Sequence, residues 1–234
     1  FYEREMKFEA GNQDLLITPP SISEAKDIQN RLRSQIRLEN DFGKLDLIAG
    51  LDVGYDLQND RAKAAIVIMK VGEPRPIESF VEFMPVEFPY VPGFLSFREA
   101  PVIVKVLSRC KMTPDLLMID GHGIAHPRRM GIAAHIGVLL DIPTIGVAKS
   151  RLCGNYKEPA AMKGSREFLY DKSEVIGTVL RSRDNVKPLF ISPGHRIDVS
   201  SSVELVERCL TRYRLPEPTR MADKLSKMTS LELL

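Results

Sequence analysis

Tryptophan is absent from the chain, and cysteine and histidine are scarce at three and four. The cysteines, Cys110, Cys153 and Cys209, lie far apart and form no Cys-x-x-Cys pair. That spacing excludes a disulfide framework and a zinc knuckle, and it fits a reducing compartment. No apolar run reaches membrane-spanning length, and no charged-then-apolar signal segment opens the sequence. A cytoplasmic protein without a membrane partner is therefore expected. A strong charge of one sign is also lacking, since the formal net charge is only +2. Residues 121–170 nevertheless hold seven Lys/Arg against three Asp/Glu, a local +4 that suits a phosphate-bearing partner or a solvated face. No linker or repeat divides the 234 residues, so one domain spanning 1–234 is expected.

What is present is ordered in two blocks. Ile22, Ala25, Ile28, Leu32 and Ile36 recur at spacings of three and four after Pro19-Pro20, which predicts an amphipathic helix over 21–38, capped by Ser21 or Ser23 and packed outside a sheet. Extended runs at 45–55, 62–71 and 77–84, joined by short polar or proline-bearing segments, predict an antiparallel meander. An irregular stretch at 85–95 precedes a helix running to about Cys110. A strand at 115–120, a helix at about 130–140 and a strand at 144–147 then predict a parallel pair joined by a crossover. Strands at 175–180 and 188–192 and a helix from about 200 to 213 follow. The class is α/β: one mixed sheet, antiparallel meander plus parallel strands, flanked by helices.

Three carboxylates stand where chemistry is expected. Asp120 closes the apolar strand Leu116-Leu117-Met118-Ile119 and is followed by Gly-His-Gly-Ile-Ala-His-Pro-Arg-Arg129. Functional side chains gather past strand ends in open α/β sheets, although an Asx turn before Gly121 is the plainer alternative. Asp52 shares a strand face with Ile48, Gly50 and Gly54. It either caps a turn or uses room left by the two glycines for a metal ion or a substrate backbone. Ser96-Phe-Arg-Glu99 matches a capping box, but Pro101 sits better in a helix that starts nearer Glu99 and leaves that carboxylate free. Three such acids converging on one cleft would suit Mg²⁺ or Mn²⁺ and phosphodiester hydrolysis.

His122 and His126 have zinc-like spacing, but Gly121, Gly123 and Pro127 oppose a helix there. His126 is either an imidazole that bonds or protonates phosphate oxygens or a structural loop histidine. His135 is expected to be a satisfied core histidine. Arg128 and Arg129 either meet phosphate or face water. Lys149 follows the strand Thr144-Ile-Gly-Val-Ala148, so it emerges at the same sheet end as Asp120, as a charge-neutralising group or an exposed lysine.

Together these residues resemble the endonuclease V family. The matching pieces are Ile48-Ala-Gly-Leu-Asp-Val-Gly54, Pro89-Tyr-Val-Pro-Gly-Phe-Leu-Ser-Phe-Arg-Glu99, Asp120 to Arg129, Pro143-Thr-Ile-Gly-Val-Ala-Lys149 and Leu215-Pro-Glu-Pro-Thr-Arg220, in the family's order. The resemblance implies an RNase H-like fold and Mg²⁺-dependent cleavage, with Mn²⁺ as substitute, of DNA containing deaminated bases, chiefly deoxyinosine. The cut would fall at the second phosphodiester bond 3′ to the lesion, leaving 3′-OH and 5′-phosphate. Asp52, Glu99 and Asp120 would be metal ligands, with His126 and Lys149 assisting at the scissile phosphate. Tyr90 would be the wedge that enters at the lesion, with Val91 replacing the family's isoleucine. Pro92, Gly93, Leu95 and Gly121 would bind the extruded base. Some relatives carry a histidine near the metal where this chain has Asp223. Inosine-containing RNA is the alternative substrate, a non-cleaving binder of deaminated nucleic acid the alternative class, and a monomer is expected.

Overall fold

Alternation along the first strand decides which residues meet which layer. In β1 (Leu47–Asp56), Ile48 enters one buried cluster and Ala49 and Leu51 enter another, on the opposite face. The computed structural model describes residues 18–228. Helix α1 (Ile22–Arg33) precedes β1, which turns back into β2 (Arg61–Lys70) and then β3 (Pro76–Pro85), forming the expected antiparallel meander. Helix α2 (Leu95–Leu107) leads into β4 (Leu116–Asp120), parallel to β1, and α3 (Ile132–Leu140) crosses over to β5 (Thr144–Ala148), parallel to β4. Strands β6 (Arg166–Asp171), β7 (Glu174–Leu180) and β8 (Leu189–His195) add antiparallel neighbours, followed by α4 (Val199–Arg208) and α5 (Glu217–Lys227). The sheet order is β3-β2-β1-β4-β5-β8-β7-β6.

Helices α2 and α3 cover one face, where Val102, Ile103, Val106, Ile132 and Ile136 pack on Leu51, Ile66, Leu117 and Ile119. Helices α4 and α5 cover the other, where Val203, Val206 and Ala222 meet Ile48, Met118, Val147 and Ile191. Each fully buried Leu or Ile of these layers contributes about 1.5–3 kcal/mol relative to exposure. Because β1, β4 and β5 are parallel, their C-terminal halves reach one end of the sheet and carry Asp52, Asp120 and Lys149 there.

Several expectations need correction. The first helix ends at Arg33, because Ser34 closes it and Arg37 is drawn into ion pairs with Asp41 and Asp141. It also packs on α3 and the Phe88-Phe94-Phe97 cluster, not on the sheet. The capping box does not form: α2 starts at Leu95 with no side-chain cap, Pro101 lies inside it, and the Ser96 hydroxyl pairs with His135 Nδ1 at 2.9 Å. His135 is fully buried as expected, but its Nε2 has no partner, so it is only half satisfied.

Strand β6 and helix α5 were not foreseen. β6 is an edge strand that turns its aromatics, Phe168 and Tyr170, to solvent. Helix α5 buries small or polar residues, Pro218, Thr219, Ala222 and Ser226, which leave no large apolar stripe in the sequence. The reason lies in β1. A Cβ on Gly50 would stand 2.0 Å from the Pro218 carbonyl oxygen, and one on Gly54 would stand 2.9 Å from that of Ser226. The two glycines make room for the backbone of α5, not for a metal ion or substrate.

Candidate active site

Helix α5, lying this close to β1, brings a fourth acid to the strand ends. Ligand oxygens of Asp52, Asp120 and Asp223 all lie within 4.8 Å of one another, the one such group among the described residues. Ser226, one turn beyond Asp223, donates its hydroxyl to Asp52 Oδ2. Lys149 bridges the cluster, paired with Asp120 and, at 2.5 Å, with Asp223 Oδ1. Glu99 stands beside this group. It is buried and accepts a 2.8 Å hydrogen bond from the Tyr55 hydroxyl, over whose ring the Arg98 guanidinium lies at 4.8 Å.

The electrostatics are those of crowded acids in a dry site. Burial, opposed by the Tyr55 hydrogen bond and reinforced by the charges of Asp52 and Asp120, pushes Glu99 up to about 8. Burial and the charge of Asp52 also raise Asp120, and these outweigh the lowering by Lys149. Burial pulls Lys149 down, but Asp120 and Asp223 hold its ammonium above the ordinary lysine range. Burial pulls Asp223 up, yet Lys149 and Lys227 keep it below the usual carboxylate range. Two ammonium groups thus meet the acids, Lys149 at Asp120 and Asp223 and Lys227 at Asp223, while Asp52 has no lysine partner of its own among the ion pairs described. Oxygen donors with this excess of negative charge are the set that a hard divalent cation takes, and its charge offsets the repulsion.

A pocket of about 370 Å³ opens beside Asp120, lined by Tyr90, Pro92, Gly93, Leu95, Gly121 and Lys149 among others. Its size is within the range of small-ligand sites. One wall is a turn closed by the Phe94 N–H on the Val91 carbonyl, with Pro92 and Gly93 at its centre and Gly93 at φ +81°. That is the residue pair a type II turn requires. Tyr90, just before it, is 70% exposed, which rules out a core tyrosine.

The histidines and arginines differ from expectation. His126 Nδ1 accepts the backbone N–H groups of Arg128 (3.1 Å) and Met130 (3.4 Å), so Nε2 carries the proton and donates to the Gly93 carbonyl at 3.0 Å. Burial lowers it to about 4, which keeps it neutral. With both nitrogens engaged by backbone, it brackets two loops in this structure. His122 Nε2 pairs with the Ser150 carbonyl at 3.0 Å, which leaves no zinc pair. Arg129 is buried, pairs with Asp171 and Glu174 at 2.7 and 2.8 Å, and donates to the His126 carbonyl, so it meets neither water nor phosphate. Arg128 lies over the Phe94 ring at 4.2 Å.

Besides Ser226, three residues around the site were missed. Tyr55 gave no signal beyond an aromatic at a strand end. Arg214, which donates to the Lys149 and Pro188 carbonyls at 2.8 and 2.9 Å, lies in a loop whose partners are remote in sequence. Gln29 did give a signal: it falls in the buried stripe Ala25, Gln29, Leu32, where an amide needs partners.

A mixed RNase H-like sheet with clustered carboxylates at its strand ends defines a nuclease of the metal-dependent class. The sequence model described as Endonuclease V matches residues 30–224. An endonuclease V of Rippkaea orientalis is 49% identical over 208 residues, covering 89% of this chain and 91% of the relative. The endonuclease V structure from Streptomyces avermitilis superposes with a TM-score of 0.85 at 37% identity, covering 90% and 93% of the two chains. The Ciona intestinalis enzyme, in complex with a 24mer DNA containing an inosine followed by a ribo-adenosine, gives 0.76 at 29% identity, covering 88% and 96%. The chain belongs to the endonuclease V family. No helix among the described residues is long and apolar enough to cross a membrane.

Proposed function

We propose that the protein is a DNA repair endonuclease that recognises deaminated bases, chiefly deoxyinosine, and hydrolyses the second phosphodiester bond 3′ to the lesion, with all 234 residues serving one endonuclease V domain. The observation that carries this is the carboxylate cluster of Asp52, Asp120 and Asp223, with Glu99 beside it, next to a pocket bordered by an exposed tyrosine. A protein that only bound nucleic acid would have no use for acids that repel phosphate. Asp52, Asp120 and Asp223 would hold Mg²⁺, or Mn²⁺ in its place, with Glu99 supplying a further oxygen from the Tyr55 side. When bound, the cation supplies Lewis acidity toward the phosphate and lowers the pKa of a water.

The remaining work falls to side chains. The Lys149 ammonium, already between Asp120 and Asp223, neutralises charge that develops on the scissile phosphate. Tyr90, held out by the prolines on either side, occupies the space the base leaves, while Pro92, Gly93, Leu95 and Gly121 receive the base. His126 positions the loop behind that pocket. The deaminated base pairs more weakly, which lowers the cost of extrusion.

Matched strands carrying deoxyinosine, inosine or the undamaged base test the reading, since the Ciona complex combines an inosine with a ribo-adenosine. Mg²⁺-dependent nicking is expected on the deoxyinosine strand. Nicking confined to the ribose strand would make the protein a ribonuclease. Tyr90→Ala is expected to lower discrimination against undamaged DNA about tenfold, as loss of one stacked side chain implies, without lowering the melting temperature. A parallel fall in both would assign Tyr90 to the fold instead.

A further inference from the structure

The Gly93 carbonyl accepts hydrogen bonds from three side chains. Gln29 Nε2 donates at 3.0 Å, His126 Nε2 at 3.0 Å and Arg128 Nη2 at 2.7 Å. The three donors come from different parts of the chain, α1 and the loop after β4. Gln29 ties the node together: it is fully buried, its Nε2 also reaches the Met130 carbonyl at 3.4 Å, and its Oε1 accepts from Arg128 Nε. A carbonyl has two lone pairs, so three donors saturate this oxygen and tie its peptide at once to α1 and to the loop after β4. The anchored peptide ends the turn that follows Tyr90 and leads directly into α2, the helix that bears Glu99.

We propose that Gln29 is a positioning residue for lesion recognition: with His126 and Arg128 it locks the Gly93 carbonyl, and so fixes the Tyr90 turn against the base pocket. The inference rests on the reading of Tyr90 as a wedge in a deaminated-base endonuclease. Gln29 lies just outside the span that the family model matches, residues 30–224. A wedge must hold its place when it enters a stack of bases. A loosened anchor therefore costs most where there is a stack to open, in duplex DNA, and less on a single strand that has no partner to unpair.

The test compares Mg²⁺-dependent nicking of a deoxyinosine duplex and of the same deoxyinosine strand alone, for the wild type, Gln29→Leu and Gln29→Glu. Gln29→Leu removes every bond. Gln29→Glu keeps an acceptor for Arg128 but loses the donor to Gly93, and it carries the test if the leucine variant melts early. Gln29→Glu is expected to lose about tenfold in kcat/KM on the duplex, as for one hydrogen bond, Gln29→Leu at least as much, and each variant at least about fivefold less on the single strand. Equal losses on both substrates would reduce Gln29 to a structural residue and overturn the inference. Absence of nicking by the wild type on either substrate would overturn the proposed function instead.

Discussion

Asp120→Ala should lower Mg²⁺-dependent nicking at deoxyinosine by about a thousandfold or more, ~4 kcal/mol in the barrier, because it removes a proposed cation ligand together with one of the two partners of Lys149. Lesion binding in Ca²⁺, followed by gel shift, should persist, since Asp120 is only one residue of the pocket lining and Tyr90, Pro92, Gly93 and Leu95 are unchanged. Asp120 contributes at the centre of the cluster. It lies beside Asp52 and Lys149, and the repulsion between the two acids, added to burial, raises its pKa. Relieving that repulsion should leave the fold at least as stable as before. Full nicking by Asp120→Ala would remove the cluster from the mechanism, and a lower melting temperature would show that the acid supports the fold.

Gly50→Ala is the largest expected effect on stability. The new Cβ would meet the Pro218 backbone at 2.0 Å, where no side-chain adjustment can relieve the clash. Helix α5 would have to move away from β1, at a cost of about 3 kcal/mol or more, or a fall of roughly 6–12 °C in Tm for a chain of this size. Since α5 carries Asp223 and Ser226, cation affinity should fall with it. Gly43→Ala is the control: nothing lies within 4 Å of a Cβ there, and its Tm should stay within the small range of surface changes. Unchanged Tm and cation binding in Gly50→Ala would show that α5 does not need its close seat on β1.

Strand patterning made the architecture and half of the site legible. The runs containing Asp52, Asp120 and Lys149 are apolar strands whose polar ends stand out, and the parallel pairing brings those ends together. Asp223 was not legible as a ligand because α5 is built from small residues that fit glycines on another element, a relation invisible to periodicity. Ser96 and Glu99 have the spacing of a capping box, but the serine serves His135 and the glutamate serves Tyr55, both remote in sequence. His126 followed the same rule: its residue type suggests proton chemistry, whereas backbone groups on two loops take both nitrogens. Gln29 was visible in principle, as an amide on the apolar stripe of α1. What composition and spacing cannot supply is which distant backbone group a polar side chain will satisfy.

One duplex with a single deoxyinosine, incubated with and without Mg²⁺ and resolved to one nucleotide, measures the central claim most directly. The cluster and pocket predict a single nick at the second phosphodiester bond 3′ to the lesion, on the lesion strand and only with the cation present. A nick of equal rate without the cation, or cuts scattered without regard to the deoxyinosine, would contradict it.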